Sequence, residues 1–260
     1  MTELSLILPC FNEADRLPAT LATYLAHLPV DPGAVEILVV DDGSTDATAE
    51  VAQAVAARDT RVRVLRSQPN HGKGFAVRTG MLAAAGNLLV FTDADGAYGP
   101  ADLERVVLAL AEAPVAIGTR RPDGGTPLAR QVASRAFNQA LHLLSDLPFT
   151  DTQCGLKAFR REAAHQLFDR AKVNGFAFDV ELLLLARGMG LPVAEVPVRA
   201  QARFGSRVRV LADGRRMLGE VWSVRRDLEA DHRCQGRAYA PSADRNRRSA
   251  GGGGLIEPNR

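Results

Sequence analysis

Aromatic residues supply only 5% of the 260 positions, with a single tryptophan, and no apolar run approaches the roughly 18 residues that span a bilayer. A membrane-crossing helix is therefore not expected. Met1-Thr2-Glu3 lacks the basic start of a secretory signal peptide, so a cytoplasmic location is expected. Cysteine is scarce as well. Cys10, Cys154 and Cys234 are odd in number, far apart and without a CxxC pair, which argues against a disulfide framework and a structural zinc site. The histidines (His27, His71, His142, His165, His232) form no HxxxH or HExxH pattern. No GxxxxGK[ST] is present, since Asn70-His71-Gly72-Lys73-Gly74 opens no Walker loop, and no GxGxxG follows the first apolar run. ATPase and dinucleotide-dependent dehydrogenase chemistry are disfavoured accordingly.

What is present is an ordinary globular composition, 46% hydrophobic and 24% charged, of a length that suits one large α/β domain. The formal charge of +2 hides a polarity along the chain. Up to Val198 there are 18 basic and 23 acidic residues; from Arg199 to Arg260 there are 14 basic and 7 acidic.

Leu4 to Leu8, Val35 to Val40, Val62 to Leu65 and Leu88 to Phe91 are short branched-apolar runs that read as buried strands. Ala14 to Leu28, Asp46 to Arg58 and Gly74 to Ala85 have helical spacing between them, with Ser44 or Thr45 the expected N-cap of the second. This alternation predicts a Rossmann-like, mainly parallel sheet flanked by helices, with ligands beyond the carboxyl ends of its strands. Further on, helices are expected at Ala101 to Ala111, Leu128 to Ser145, Glu162 to Ala171, Phe178 to Arg187 and Leu211 to Glu229, and strands at Val115 to Gly118 and Val193 to Val198. The division expected is a catalytic domain over 1–210, a basic amphipathic helix over 211–230 and a disordered tail over 231–260, where Gly251 to Gly254 stand in a row.

Acidic residues end two of the predicted strands: Asp41-Asp42-Gly43-Ser44 and Asp93-Ala94-Asp95-Gly96. In an extended segment residues two apart face the same way, so Asp93 and Asp95 can approach one hard cation, Mg²⁺ or Mn²⁺. Such a cation commonly completes its shell with phosphate oxygens and water, which points to a diphosphate ligand. Asp-Gly pairs also make plain turns, but two of them at neighbouring strand ends favour a site.

Leu8-Pro9-Cys10-Phe11-Asn12-Glu13, Val40-Asp41-Asp42-Gly43-Ser44-Thr45-Asp46, Gly72-Lys73-Gly74 and Asp93-Ala94-Asp95-Gly96, in that order, resemble family 2 glycosyltransferases of the GT-A fold. Gly118-Thr119-Arg120, Ser134-Arg135, Asp151-Thr152-Gln153-Cys154-Gly155, Phe178-Asp179-Val180-Glu181-Leu182 and Gly205-Ser206-Arg207 resemble the polyprenyl-phosphate branch, above all dolichyl-phosphate β-glucosyltransferases. The resemblance implies a GT-A nucleotide-diphospho-sugar transferase fold and a metal pair at Asp93 and Asp95. It implies a nucleotide pocket of Pro9, Asn12, Glu13, Asp41, Asp42, Lys73 and Asp93. Arg120, Arg135 and Arg207 match residues that hold donor or acceptor phosphates, a task suited to the planar guanidinium fork. Asp151 matches the catalytic carboxylate of related inverting enzymes, as base or sugar ligand. Cys154 reads as a packing residue. Asp179 and Glu181, two apart, do not share a helix face; one is expected at the cleft and the other as a carboxylate at the helix N-terminus.

The implied reaction is metal-dependent, inverting transfer of a hexose, glucose from UDP-glucose, to a polyprenyl or dolichyl phosphate. The enzyme alternative is a soluble sugar or phosphorylated acceptor; a catalytically silent nucleotide-sugar binding protein is a further one. A processive synthase is disfavoured because no Gln-x-x-Arg-Trp occurs, and no nucleic-acid partner is expected. This sequence departs from the family in lacking a membrane span, in Gly175-Phe176-Ala177 before the Phe178 motif, and in Thr119 where Ser is common. In the late helix Met217, Val221, Val224 and Leu228 form a stripe with Leu218 and Trp222 beside it, while Arg215, Arg216, Glu220, Arg225 and Arg226 lie off it. Such a helix either packs on the domain or docks peripherally at the cytoplasmic membrane face, and the implied lipid acceptor favours docking.

Overall fold

The computed structural model describes residues 2–28, 34–120, 139, 141, 143–200 and 210–234. Among them seven strands form one sheet: β1 (Leu4–Cys10), β2 (Val35–Asp42), β3 (Val62–Ser67), β4 (Leu88–Thr92), β5 (Val115–Arg120), β6 (Leu156–Arg160) and β7 (Val193–Val198), in the order β3-β2-β1-β4-β6-β5-β7. Neighbours from β3 through β4 pair in parallel, as do β5 and β7. Only β6 runs antiparallel, between β4 and β5. The helices are α1 (Leu17–His27), α2 (Thr48–Ala56), α3 (Lys73–Ala83), α4 (Pro100–Leu108, continued by a 3₁₀ turn at Ala109–Ala111), α5 (Arg161–Phe168), α6 (Phe178–Gly188) and α7 (Val210–Cys234). The expected α/β architecture is present.

Strand periodicity divides the core in two. Leu4, Leu6, Leu8, Ile37, Val39 and Val90 point to one face, where Leu17, Leu21 and Tyr24 of α1 and Leu103 and Val106 of α4 cover them. Ile7, Leu38, Val40 and Phe91 point to the other, against Val77 and Met81 of α3, Phe168 of α5 and Val180 and Leu184 of α6. With both faces covered, the strands read as continuous apolar runs, which made β1, β2 and β4 visible in sequence.

The structure corrects the sequence reading in four places. β6 was not expected: in Leu156-Lys157-Ala158-Phe159-Arg160 a lysine interrupts the apolar run, yet Lys157 is fully buried. Ser44 and Thr45 do not cap α2. The Ser44 hydroxyl accepts the Asn12 N–H at 2.9 Å, the Thr45 N–H and hydroxyl donate to Asn12 Oδ1, and Asp46 Oδ1 receives the Thr48 N–H at 3.0 Å. The apolar stripe of α7 packs on the domain: Met217 and Val221 are buried and Leu218, Val224 and Leu228 are half-buried in the α3/α6 layer. Helix α7 also continues through Cys234, past the expected start of a disordered tail. Most of the helix expected over Leu128 to Ser145 lies outside the described residues; 143–145 are helical.

Candidate active site

The parallel strands carry the sequence motifs to one edge. β1 ends at Cys10, β2 at Asp42 and β4 at Thr92, so the loops with Asn12 and Glu13, with Gly43 and Ser44, and with Asp93 and Asp95 emerge side by side. Because β6 is antiparallel, its amino end joins that edge, bringing Asp151 to Gly155 against the loop after β4; Thr92 is in register with Leu156. β5 delivers Arg120 to the same edge. The sequence-predicted residues Pro9, Asn12, Glu13, Asp41, Asp42, Lys73, Asp93, Asp95, Arg120 and Asp151 are thus gathered by the sheet. Arg135 and Arg207 lie outside the described residues.

Within the gathered set the carboxylates differ in what already holds them. Asp42 is buried and accepts the Ser67 hydroxyl at 2.9 Å and the His71 and Gly72 N–H groups at 3.1 and 2.7 Å. Its side chain therefore shapes the loop that leads into α3. Asp41 is also buried; its Oδ1 accepts the Ser44 N–H at 3.1 Å, while Oδ2 lies 3.1 Å from Arg66 Nε without a hydrogen bond. Glu13 is bound bidentately by Arg16 at 2.6 Å, and Asn12 takes a positive φ of 58° as its side chain ties the β1 loop to the Thr45-Asp46 turn.

Lys73 opens α3, and its ammonium sits 2.5 Å from Asp93 Oδ1 and 5.9 Å from the centre of the Phe178 ring. Burial works against that charge, but the carboxylates of Asp93 and Asp179 outweigh it and raise the lysine pKa. The glycines beside Lys73 have a steric reason. Gly72 has φ +111°, and a Cβ there would meet the Asn174 carbonyl at 2.5 Å; the Gly74 N–H donates to that same oxygen at 2.7 Å. Asp95 Oδ1 accepts the Ala97 N–H at 2.9 Å. The other oxygen of Asp93 lies against the α-carbon of Gly155, so any side chain at 155 would occupy its place.

These residues fit a divalent cation. The Asp93 carboxylate already accommodates a cation, the Lys73 ammonium, and Asp95 is two residues on, while among the described residues no group of three or more His, Cys, Asp or Glu side chains could ligate a metal. A cation held here needs most of its ligands from a substrate and water, as diphosphate complexes of Mg²⁺ or Mn²⁺ provide.

Arg120 and Asp151, which the sequence analysis assigned separate tasks, form one pair. Arg120 Nε and the second guanidinium nitrogen reach the two carboxylate oxygens at 2.6 and 2.9 Å, and the Arg120 and Gln153 N–H groups add 3.2 Å contacts. Burial pushes the Asp151 carboxyl up, yet the Arg120 hydrogen bonds and charge hold it below the usual carboxylate range. A carboxylate so held is a weak base and a firm orienting group. Gln153, in the same motif, donates to the Met217 sulfur at 2.7 Å and links α7 to this loop. Cys154 is fully buried, its thiol pKa raised by that burial, in keeping with packing. Glu181 accepts the Lys172 and Val173 N–H groups at 2.9 Å, and Asp179 turns inward to Lys157, so neither carboxylate opens to the cleft. Sequence reading missed Lys157 and the contact of Gly155 with Asp93; the Gly of Asp-Thr-Gln-Cys-Gly was the available signal.

A family model described as glycosyl transferase family 2 matches residues 5–168. The chain is 40% identical over 225 residues to a dolichyl-phosphate beta-glucosyltransferase of Drosophila melanogaster, covering 79% of this chain and 69% of that protein. The human dolichyl-phosphate beta-glucosyltransferase is 34% identical over 225 residues with the same coverage. Glycosyltransferase AglD of Haloferax volcanii is 35% identical over 235 residues, 85% of this chain but 37% of that longer protein. Among solved structures, glucosyl-3-phosphoglycerate synthase from Mycobacterium tuberculosis in complex with Mn²⁺, UDP and phosphoglyceric acid matches with a TM-score of 0.66 at 23% identity, covering 86% of this chain and 78% of that one; the likeness is one of fold.

Proposed function

The chain belongs to glycosyl transferase family 2, and from that membership we propose that it transfers a hexose, glucose from UDP-glucose, to a polyprenyl or dolichyl phosphate with inversion at the anomeric carbon. The observation that carries the acceptor is the 40% identity to the Drosophila enzyme across 79% of the chain. The geometry supports a nucleoside diphosphate donor, because the sheet edge offers two carboxylates and an ammonium where a diphosphate with its cation has complementary charge.

Asp93 and Asp95 hold the cation, Mg²⁺ or Mn²⁺, which when bound neutralises charge on the departing diphosphate. Lys73 faces the diphosphate oxygens. Asp41, with the backbone of Pro9, Asn12 and Glu13, supports the base and ribose side. The acceptor phosphate oxygen attacks the anomeric carbon, the bond from that carbon to the diphosphate breaks, and the nucleoside diphosphate leaves with the bonding electron pair. A phosphate monoester has a second pKa of about 6, so the nucleophile is already an anion near neutral pH and no proton need be removed. Asp151 accordingly acts through Arg120, fixing the guanidinium to receive a phosphate edge; Arg135 and Arg207 are proposed as further phosphate ligands. The protein meets lipid headgroups from the cytoplasmic side through the exposed side of α7, where Trp222 is 55% exposed with the Arg226 guanidinium 5.3 Å from its ring. Among the described residues no helix is long and apolar enough to cross a membrane.

Radiolabelled UDP-glucose, Mn²⁺ and polyprenyl phosphate in detergent test the reading. Label is expected in the lipid phase, and Asp93→Asn and Asp95→Asn are each expected to abolish it while leaving the melting temperature within a few degrees. Label confined to water-soluble products would overturn the lipid acceptor in favour of a soluble one, and full turnover by both variants would overturn the metal assignment.

A further inference from the structure

Lys157 places a charge where the sheet calls for an apolar side chain. On β6 it is in register with Phe91 on one side and Ile117 on the other, fully buried, its ammonium 5.6 Å from the centre of the Phe91 ring. That ammonium donates to Asp179 Oδ1 at 2.5 Å and to the Cys154 carbonyl at 2.7 Å. Asp179, in the first turn of α6, is itself only 4% exposed. Removing two ions from water costs several kcal/mol each, and apolar residues of similar volume are often as stable or more so. Fold stability therefore gives no reason for the pair.

Its surroundings give one. The Cys154 carbonyl belongs to the peptide that leads into Gly155, against whose α-carbon the Asp93 carboxylate rests. Asp179 follows Phe178, whose ring lies under the Lys73 ammonium, and its charge acts on Lys73 together with that of Asp93. One end of the buried pair thus fixes the wall behind Asp93, and the other adds negative charge beneath the lysine in front of it. Asp93 pairs with Lys73 at the sheet edge and Asp179 with Lys157 in the core, and the Phe178 and Phe91 rings against which the two ammoniums lie are 5.7 Å apart.

We propose that Lys157 and Asp179 are positioning residues for the donor site, Lys157 by fixing the Cys154–Gly155 backbone behind Asp93 and Asp179 by keeping the Lys73 ammonium at the carboxyl edge of the sheet. The proposal rests on the reading of Asp93 and Lys73 as the cation and diphosphate site. It predicts that the interior pair serves ligand binding more than folding.

The experiment removes both charges at nearly constant volume with Lys157→Met and Asp179→Leu together, and measures melting temperature, UDP affinity by calorimetry with Mn²⁺, and donor kinetics. The expected result is a melting temperature equal to or above that of the wild type, UDP binding weakened about tenfold or more, and a KM for donor that rises by more than kcat falls. A double variant that folds and binds UDP as the wild type does would overturn the proposal. If the double variant does not fold, Asp179→Asn decides, since it keeps an acceptor oxygen and loses the charge: weakened UDP binding supports the proposal and unchanged binding overturns it. Failure of the underlying site reading shows separately, as wild-type protein whose UDP binding is indifferent to Mn²⁺.

Discussion

At the scale of single residues, the state of Asp151 separates two accounts of the chemistry. Its folded pKa is held below the ordinary value near 3.9 by Arg120, so its contribution to stability is present above about pH 4 and disappears as pH falls through the lower folded value. It cannot supply a titration near neutrality. The acid limb of transfer is expected near pH 6, set by the acceptor phosphate, and Asp151→Asn is expected to lower kcat/KM by about tenfold or more while the limb stays in place. A pH profile that loses its acid limb in the variant would make Asp151 the base. The family resemblance gave Asp151 and Arg120 a role each, but not that they bind each other, because a pair 31 positions apart leaves no local pattern. Asp42 illustrates the same limit: an aspartate at a strand end looks identical in sequence whether it faces a ligand or gathers the N–H groups of its own loop.

Among elements, α7 shows how an amphipathic stripe can be legible in sequence while the surface it meets is not. The stripe of Met217, Val221, Val224 and Leu228 is real, and it packs against the domain beside α6, so it adds to the core and leaves Trp222 and Arg226 outside. Met217→Ala is expected to destabilise the protein by about 2–3 kcal/mol in urea unfolding, from the cavity it leaves. Trp222→Ala combined with Arg216→Gln and Arg226→Gln is expected to change stability by less than about 1 kcal/mol yet to reduce sedimentation with anionic vesicles. Equal vesicle binding would leave α7 a packing helix alone. Strand β6 was illegible for the opposite reason. A five-residue strand with Lys at its second position lacks both the apolar run and the alternation that mark strands, because Lys157 answers to Asp179. By contrast β1, β2 and β4, buried on both faces, announced themselves.

For the whole molecule, the polarity of charge along the chain resolves only in its acidic part. Asp41, Asp42, Asp93, Asp95, Asp151 and Asp179 converge on one edge of the sheet or just beneath it, each partnered differently, while much of the basic carboxyl-terminal portion lies outside the described residues. A ligand that completes this edge binds the folded state alone, so UDP with Mn²⁺ at 100 times its dissociation constant is expected to add about 2.7 kcal/mol of stability. Thermal melting with and without Mn²⁺ measures it, and a shift produced by UDP equally without the cation would contradict the proposed division of labour. The reversed direction of β6 carries a last consequence. Arg120 leaves the edge and Asp151 re-enters it, and their ion pair closes that length of chain like a clasp. Loop closure depends only logarithmically on length, with each doubling costing about 0.6 kcal/mol. Joining the ends of this length of chain is thus a small cost, and its returning residues are anchored besides: Leu141 and Leu147 are in the core, and Arg225 and Arg187 donate to the Leu144 and Asp146 carbonyls, so that the clasp and these anchors together hold Asp151 at the carboxyl edge of the sheet.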